Sequence, residues 1–434
     1  MGKVKKAFIE GMPLRKTGSL FCKIFSPKRN WGRINKVYLA TDRWIGYQFR
    51  KFYSHFVKVQ PNAVLFYTFE DTYTCNPKYI NEELEKRNAN VKIYWSLKNP
   101  ASMGEFRPDT KVIPLKKNSY ELFRAAMSCK VIVTNSLMGD RNYLIPIKRN
   151  QVLIETWHGS LGLKTFGPKT YKSSKEWPRA MKKTAKKTSY LISNSQFEDD
   201  IYRTSYWPKT PILRFGHPRN DIFFGEGDER KDEWVVALKK KYKIKERDAH
   251  FVMYAPTFRD DHNFACYNLN FNALLDTLQQ KYGGKWYLLL RYHPTVLQDQ
   301  KTKNKIKGDN ILNVTNYTDI QKLMVIADVA ICDYSSWMFD YMLTRKPLFI
   351  YASDLESYKK EREFAYPIET TPFPIAKTNP DLIENINNFD NEKYLKDIDD
   401  FLADKQCMED GQASKRCVDL ILDIIAKAQA KKKK

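Results

Sequence analysis

Short, continuous apolar runs recur through the first half of the chain, and polar stretches that favour helices separate them. Helices are expected at 79–89 and 120–128, with a basic one around 181–187. Because the apolar runs do not alternate with polar residues, they predict strands buried on both faces. Strands and helices in this alternation are typical of a parallel sheet in an α/β domain. The predicted strands are 63–70, 91–98, 131–136, 152–156 and 190–195.

Two prolines interrupt this pattern between residues 206 and 214, and the alternation then begins again. The second set of predicted elements comprises strands at 251–256, 286–294 and 311–315 and helices at 271–282 and 319–326. The sequence therefore predicts an α/β protein with two Rossmann-like domains facing a central cleft. The predicted divisions are 1–50, an N-terminal arm; 51–205, the first domain; 206–390, the second domain; and 391–434, C-terminal helices with a basic tail.

The second set ends in a stretch with a distinctive polar elbow, at residues 327–351. After a strand expected at 329–332, the chain becomes polar at Asp333, and Ser335 and Ser336 can cap a helix that begins near Trp337. Unpaired N–H groups at a helix start favour an anion such as a phosphate. The alternative is an ordinary capped connection, because serine and aspartate are common helix caps.

The positive charge of the chain is concentrated in two segments. The formal net charge of the 434 residues is +24. Residues 1–50 hold twelve Lys and Arg against two acidic residues, and residues 151–190 hold nine against two. In the arm the charges are interleaved with aromatic residues such as Trp31 and Trp44, which favours an anionic membrane surface as partner. A solvated face is the main alternative, and nucleic acid is disfavoured because no nucleic-acid-binding fold signature is present.

The cysteines and the N-terminus indicate the cellular compartment. Seven scattered cysteines without a CxxC pair predict neither a disulfide framework nor a structural zinc site, and a reducing cytoplasm is expected. The N-terminal segment lacks the apolar core of a signal peptide. No apolar run approaches the ~20 residues that span a bilayer, so any membrane contact is expected to be peripheral.

Three of the six histidines occupy unusual positions. His158 lies in ETWHG and His293 in LLLRYHP, each at the end of a predicted strand, and His217 lies in FGHPRND just after the break. Open α/β sheets bind ligands at the carboxyl ends of their strands. A neutral histidine can take a proton from a hydroxyl, and nearby Arg or Lys can hold a pyrophosphate. Any one of these histidines alone could be a structural residue.

Several catalytic classes and cofactors are disfavoured. GxxxxGK[ST], GxGxxG and GxSxG motifs are all absent, so P-loop enzymes, dinucleotide oxidoreductases and α/β-hydrolases gain no support. Asp260–Asp261 is the only acidic pair that could hold a cation, and a solvated loop is the simpler interpretation. Neither a metal nor another cofactor is therefore expected.

As a set, the motifs resemble those of the CDP-glycerol glycerophosphotransferases of teichoic acid and capsule synthesis. The matching segments are TWHG with Lys164, SNS with Phe197, GHPRND, YAPTFRDD, LRYHP and DYSSWMFDYMLTRKPLFIYASDLESY. They follow the family's order and cover roughly residues 60–370. The resemblance implies a GT-B-like fold, CDP-glycerol or another CDP-polyol as donor, and a lipid-linked polyol-phosphate acceptor. It also implies a peripheral place on the cytoplasmic face of the membrane.

The resemblance also implies roles for individual residues. His158 would be the general base that activates the acceptor hydroxyl for attack on the β-phosphorus, with release of CMP. His293 and Arg291 would hold the pyrophosphate. Donor contacts are further expected from Ser335, Ser336, Asp333, Asp340 and Arg219, with Asp340 either reaching the ribose or pairing locally, and acceptor contacts or charge compensation from Lys164 and Trp157.

Two departures from the family pattern bear on these expectations. The family more often has tyrosine where this chain has His217, so His217 receives no catalytic role. The run SLGLK after TWHG lacks the family's usual proline, which leaves acceptor preference open. The alternatives are a GT-B glycosyltransferase that uses a nucleotide sugar and a non-enzymatic basic protein that binds lipid or nucleic acid.

Overall fold

The apolar strands of the chain form two separate parallel sheets. The structure is a computed structural model. It describes residues 31–69, 71–98, 109–114, 120–136, 146–167, 176–259, 264–293, 296 and 308–433.

The first sheet and its helices occupy the N-terminal half. Its strands are β1 (Gln60–Tyr67), β2 (Lys92–Leu97), β3 (Lys111–Pro114), β4 (Cys129–Thr134), β5 (Val152–Glu155), β6 (Tyr190–Ser193) and β7 (Ile212–Arg214). They lie parallel in the order β3-β2-β1-β4-β5-β6-β7. The helices are α1 (Trp31–Ser54), α2 (Cys75–Lys86), α3 (Tyr120–Ser128), α4 (Glu176–Ala185) and α5 (Gln196–Thr204).

The second sheet repeats this construction. Its strands are β8 (Ala249–Tyr254), β9 (Lys285–Leu290), β10 (Ile311–Asn313), β11 (Val329–Cys332), β12 (Leu348–Tyr351) and β13 (Ile375–Ala376), parallel in the order β10-β9-β8-β11-β12-β13. The helices that follow Arg214 along the chain are α6 (Glu226–Tyr242), α7 (Phe271–Tyr282), α8 (Ile320–Ile326), α9 (Trp337–Met342), α10 (Leu355–Glu361), α11 (Asn379–Asn387), α12 (Asn391–Asp404) and α13 (Ala413–Lys433).

The continuous apolar strands are buried as predicted, and the α/β class with two parallel sheets is confirmed. All four residues of β11 and of β12 are buried. Helix α7 covers the predicted range, and α9 begins at Trp337 as the elbow pattern indicated. Within helices the apolar positions at three- and four-residue spacing face the sheets, which is the usual way for an amphipathic helix to be stabilised.

The predicted break at 206–214 does not separate the two sheets. Ile212–Arg214 forms β7, which pairs with β6 at the edge of the first sheet. Its three residues are only half buried, as an edge strand allows. An apolar run this short cannot be recognised as a strand from the sequence, because most strands are longer. The second sheet therefore draws its strands from residues after Arg214.

The C-terminal helix also lies elsewhere than the predicted division suggests. Helix α13 returns to the first sheet, where Val418 and Ile421 pack in one apolar cluster with Val64 and Val131. The Arg87 guanidinium, directly after α2, pairs with Asp419 on α13. The helix returns because its apolar face must be buried, and the exposed side of the first sheet provides a matching surface.

Buried ion pairs join the two sheet units. Lys78 Nζ on α2 lies 2.5 Å from Asp319 Oδ2 at the start of α8, and both side chains are buried. The Tyr79 hydroxyl lies 3.2 Å from the same carboxylate oxygen. Removing one partner of such a pair leaves an uncompensated buried charge, so the contact fixes the two units relative to each other.

The N-terminal arm is described only in part. Residues 1–30, which hold much of its predicted basic and aromatic content, lie outside the described residues. Residues 31–54 form α1, whose Arg50 guanidinium lies 4.5 Å from the centre of the Phe123 ring. In the part of the chain that the structure describes, no helix combines the length and apolar character needed to cross a bilayer.

Candidate active site

A cavity of about 230 Å³ lies where loops from the two sheets meet. The loop that follows β5 forms one side of it, and the elbow between β11 and α9 forms the other. Both loops leave the carboxyl ends of parallel strands, where α/β sheets bind ligands. Five of the sequence-predicted site residues line the cavity: Trp157, His158, Lys164, Ser335 and Ser336.

His158 is held as a neutral imidazole of defined tautomer. Its Nδ1 lies 2.7 Å from the carbonyl oxygen of Asn135, at the end of β4, so Nδ1 carries the hydrogen that it donates. Burial lowers the pKa of His158 to about 4, the Asn135 carbonyl opposes this shift, and the positive charge of Arg219 adds to it. At neutral pH the ring is therefore uncharged, and Nε2 carries a lone pair that can accept a proton.

The ring of His158 is fixed by aromatic neighbours. Trp157 lies with its ring centre 4.4 Å from that of His158, and Phe69 lies at 5.4 Å, both in stacked orientation. Trp157 adopts a φ of 51°, which is unusual for a residue with a side chain. Its N–H donates to Glu155 Oε1 at 2.9 Å, and Asn76 Nδ2 donates to its carbonyl at 3.1 Å, so hydrogen bonds at both ends hold the strained turn.

Burial raises the pKa of Glu155, which lies beneath this turn. It is fully buried at the end of β5, and desolvation raises its pKa well above the ordinary range for a carboxyl group. A neutral carboxyl group is the form that a site without a basic partner favours. The turn that presents His158 therefore rests on a carboxyl group whose charged form burial disfavours and the Trp157 N–H favours.

Lys164 places a cation in the cavity. Its Nζ lies 5.4 Å from the centre of the Tyr358 ring, and no ion pair of Lys164 occurs among the described residues. Burial lowers the pKa of Lys164 to about 8, Arg362 and Arg259 add to this shift, and Asp333 opposes it. The amine is therefore mostly charged at neutral pH and faces a space that could hold an anion.

The elbow places two serines opposite His158. Ser335 and Ser336 both line the cavity, and Ser336 is the residue that precedes α9. The predicted side-chain cap does not form, because the Ser336 backbone is already helical, with φ −65° and ψ −14°. A capping side chain requires an extended backbone at that position. Both serines thus line the cavity, and Ser336 does so without serving as a cap.

Asp333 supports the elbow through hydrogen bonds with other residues of the protein, whereas the sequence predicted a contact with the donor. Its carboxylate accepts from the N–H and hydroxyl of Thr257, at 2.9 and 2.8 Å, and from Arg259 Nη1 at 2.9 Å. The side chains of Asp333 and Arg259 are both buried. With its oxygens used in this way, Asp333 fixes the position of Ser335 and its neighbour.

Arg219 and Asp340 bind each other, where the sequence suggested donor contacts for both. Arg219 Nε lies 2.8 Å from Asp340 Oδ2, Nη2 lies 3.1 Å from Oδ1, and both side chains are buried. This bidentate pair corresponds to the local pairing that was one of the two expectations for Asp340. Arg219 Nη2 also donates to the carbonyl of Gly159 at 3.0 Å, so the pair supports the loop that carries His158.

Arg291 and His293 lie after β9 and do not line this cavity. Arg291 Nη1 donates to the carbonyls of Val314 and Tyr317, which follow β10. His293 is exposed, with its ring centre 4.8 Å from that of Phe258. Residues 294–295 and 297–307, which follow in the chain, lie outside the described residues.

Two supporting residues were not recognised in the sequence. Glu198, in α5, accepts from the N–H groups of Leu161 and Asn194 and lies 3.1 Å from His217 Nε2. Its signal is a Ser195-x-x-Glu198 spacing, the pattern of a helix capping box. Asn135 gave no signal, because its backbone carbonyl, rather than its side chain, orients His158.

Within the described ranges, no group of three His, Cys, Asp or Glu side chains could hold a metal ion. Asp260 and Asp261, the acidic pair considered from the sequence, lie outside those ranges.

Known proteins with similar sequences act in teichoic acid synthesis. A teichoic acid poly(glycerol phosphate) polymerase of Staphylococcus epidermidis is 31% identical over 388 residues, which cover 84% of this chain and 51% of that protein. A polymerase of the same name from Bacillus spizizenii is 29% identical over 364 residues, covering 81% of this chain and 89% of that one. The chain therefore spans about half the length of the first relative and most of the second.

Further comparisons of structure and sequence also find proteins of teichoic acid synthesis. A solved structure of a variant of the wall teichoic acid polymerase TagF superposes with a TM-score of 0.75 at 28% identity, covering 90% of this chain and 94% of that one. A teichoic acid ribitol-phosphate primase of Bacillus spizizenii is 30% identical over 292 residues, which are 64% of this chain and 71% of that protein.

The family model for CDP-glycerol:poly(glycerophosphate) glycerophosphotransferases matches residues 49–423. This range contains both sheets and every residue that lines the cavity. The chain belongs to the CDP-glycerol:poly(glycerophosphate) glycerophosphotransferase family.

Proposed function

We propose that this protein transfers glycerol phosphate, or another polyol phosphate, from a CDP-activated donor to a hydroxyl of a membrane-linked acceptor in teichoic acid or capsule-type polymer synthesis. The observation that carries the proposal is the shared cavity. It brings a neutral histidine together with a lysine and two serines, and these groups match a hydroxyl nucleophile and a phosphoryl group.

In this reaction His158 is the general base. Its Nε2 takes the proton of the acceptor hydroxyl, and the hydroxyl oxygen forms a bond to the β-phosphorus of the donor. The bond between that phosphorus and the oxygen bridging to the α-phosphate breaks, and the electron pair leaves with CMP. Asn135 keeps Nδ1 protonated, so that Nε2 remains the basic nitrogen throughout.

Negative charge develops on the transferred phosphoryl group and on the leaving CMP. The Lys164 amine and the hydroxyls of Ser335 and Ser336 are placed to bind that charge, because all three line the cavity that contains His158. Trp157 contributes an apolar wall against which a polyol carbon chain can pack. We assign the charge compensation to these side chains and infer no metal or other cofactor.

Arg291 and His293 remain candidates for holding the pyrophosphate and the nucleotide. They follow β9, next to β8 in the second sheet, and His293 is exposed. In this assignment the first-sheet unit binds the acceptor and the second-sheet unit binds the CDP-linked donor, in a GT-B-like arrangement with the cleft between them. Arg219, Asp340 and Asp333 serve as supports of the two loops.

Helix α1, in the first-sheet unit that we assign to the acceptor, suits an anionic membrane surface. Trp44 and Phe52 on α1 are each 63% exposed, and Phe56 just beyond it is 68% exposed. Lys51 lies in the last turn of the same helix. Exposed aromatic rings beside basic side chains favour the interface of anionic lipids. We therefore place the protein at the cytoplasmic face of the membrane as a peripheral protein.

A donor panel tests the proposed function. CDP-glycerol, CDP-ribitol and UDP-sugars are offered in parallel with a lipid-linked acceptor, and nucleotide release and product chain length are measured. We expect CMP release and a lengthened acceptor with one of the CDP-polyols. Turnover with a UDP-sugar alone would replace the proposal with a glycosyltransferase.

A further inference from the structure

The loop that carries Lys164 is paired with a segment from the second-sheet unit. We call residues 161–165 the Lys164 loop and residues 363–366 the strap. The N–H of Thr165 donates to the carbonyl of Glu363 at 2.9 Å, and the N–H of Ala365 donates to the carbonyl of Leu163 at 2.7 Å. Lys164 lies opposite Phe364 between these two bonds, in an antiparallel bridge.

Two side chains reinforce this pairing. The Tyr366 hydroxyl donates to the carbonyl of Leu161 at 2.6 Å, and the Thr165 hydroxyl donates to the carbonyl of Glu363 at 3.2 Å. The loop is thus held at both of its ends by donors and acceptors of the strap. Hydrogen bonds at both ends of a short segment leave it little freedom to move.

The strap is itself anchored to the helix that follows the serine elbow. The Tyr366 ring contacts Phe339 on α9, with ring centres 6.5 Å apart, and Phe401 on α12, at 6.1 Å. Phe197 on α5 contacts the same ring at 5.4 Å. Helix α9 begins directly after Ser336, so one packed unit connects the Lys164 loop with the two serines across the cavity.

The side chain of Lys164 needs such support. It is long and flexible, and ordering it costs conformational entropy. Within the described residues no carboxylate forms an ion pair with Lys164, and its amine is placed by the Tyr358 ring, 5.4 Å away, together with the backbone that carries it. A displacement of about 1 Å at a reacting centre can cost about 100-fold in rate.

We propose that the strap is a positioning element for Lys164, and that it holds the amine in register with Ser335 and Ser336 so that the three groups bind one phosphoryl group. The strap acts through Lys164 and does not itself contact the substrate. The functional part of this inference rests on the proposed phosphotransfer, whereas the positioning of Lys164 can be measured without any turnover.

Two strap variants and one control define the test. Ala365→Pro removes the N–H that bonds Leu163, and Tyr366→Phe removes the hydroxyl that bonds Leu161 while it keeps the aromatic packing. Ala365→Val retains the N–H at an exposed position. Circular dichroism checks the fold of each variant, and Tyr366→Phe decides the test if Ala365→Pro does not fold.

The first measurement is the titration of the Lys164 amine, followed by pH-dependent acylation and mass spectrometry. In the unaltered protein and in Ala365→Val we expect half-maximal labelling at about pH 8, which is the pKa that burial gives Lys164. In the two strap variants the amine becomes hydrated, and the midpoint rises toward its ordinary value of 10.5. An unchanged midpoint in a folded Tyr366→Phe variant would overturn the proposal.

The second measurement is CMP release from CDP-glycerol. We expect each strap variant to lower the rate on its own by at least about 10-fold, and to lower it little further in a protein that already carries Lys164→Gln. Fully additive losses would mean that the strap acts independently of Lys164. If the unaltered protein turns over none of the donors, the proposed function fails, and the labelling midpoint still decides whether the strap positions Lys164.

Discussion

At the scale of single residues, burial acts in the same direction on the two titratable groups that define the cavity. It lowers the pKa of His158 to about 4 and that of Lys164 to about 8, because a low-dielectric site disfavours the charged form of each. Between these two values the imidazole is neutral and the amine is charged. This combination is the one that a base and a phosphate ligand require.

The pH dependence of kcat/KM should report these two groups. The Lys164 amine is charged below about pH 8 and neutral above it, so kcat/KM should fall as the pH rises through 8. The His158 imidazole is neutral above about pH 4, so no loss is expected near pH 6.5, where an exposed histidine would gain a proton. Initial rates of CMP release across pH 5 to 9.5 measure the profile.

The matched variant for this prediction is Lys164→Gln. It removes the charge at every pH, so its lower kcat/KM should show no decline near pH 8. A decline that persists in Lys164→Gln would assign the alkaline limb to another group.

The Arg219–Asp340 pair is predicted to be structural, with a large effect on stability. Asp340→Asn leaves the buried Arg219 guanidinium without its counter-charge, which should cost about 3–5 kcal/mol of unfolding free energy. The control is Asp399→Asn, which breaks the exposed pair with Arg345 and should cost less than about 1 kcal/mol. Urea unfolding measures both, and equal effects of the two variants would show that Asp340 is not part of a buried support.

At the scale of elements, the apolar pattern correctly predicted strands and helices that depend on local sequence alone. The strand before Asp333 and the helix after Ser336 occur where the pattern placed them, because a buried parallel strand and an amphipathic helix have different apolar periods. The pattern could not show that β7 joins the first sheet or that α13 returns to it. Both depend on contacts between residues far apart in the chain, and local periodicity carries no information about such contacts.

Helix α1 is predicted to carry the membrane contact. Replacing Trp44, Phe52 and Phe56 together by serine should reduce binding to vesicles of anionic lipid, because three exposed aromatic rings are lost. Vesicle cosedimentation at low salt measures binding, and catalysis with a detergent-solubilised acceptor should be retained. Val236→Ser on α6 is the control, because Val236 is 64% exposed but lies on a different helix. Unchanged binding of the triple variant would exclude α1 from the membrane contact.

At the scale of the whole molecule, the motifs and the family were predictable, whereas the composition of the cavity was predictable only in part. The family is confirmed by the match over residues 49–423. Trp157, His158, Lys164, Ser335 and Ser336 share one cavity.

The same reasoning predicted donor contacts for Arg219 and Asp333, and either a ribose contact or local pairing for Asp340. In the structure all three side chains bind other residues of the protein. Sequence shows which polar residues stand at strand ends, but it does not show which of them pair with each other. The carbonyl that orients His158 and the strap that holds the Lys164 loop are backbone features, and no residue type reveals them.

The central claim is that His158 removes the proton from the acceptor hydroxyl, and CMP release from CDP-glycerol by the His158→Ala variant tests it most directly. Loss of a general base should lower the rate by about 10²- to 10⁴-fold. Circular dichroism should show an unchanged fold, and His55→Ala, at an exposed position outside the cavity, should retain the full rate. A folded His158→Ala variant that releases CMP at the rate of the unaltered protein would contradict the account.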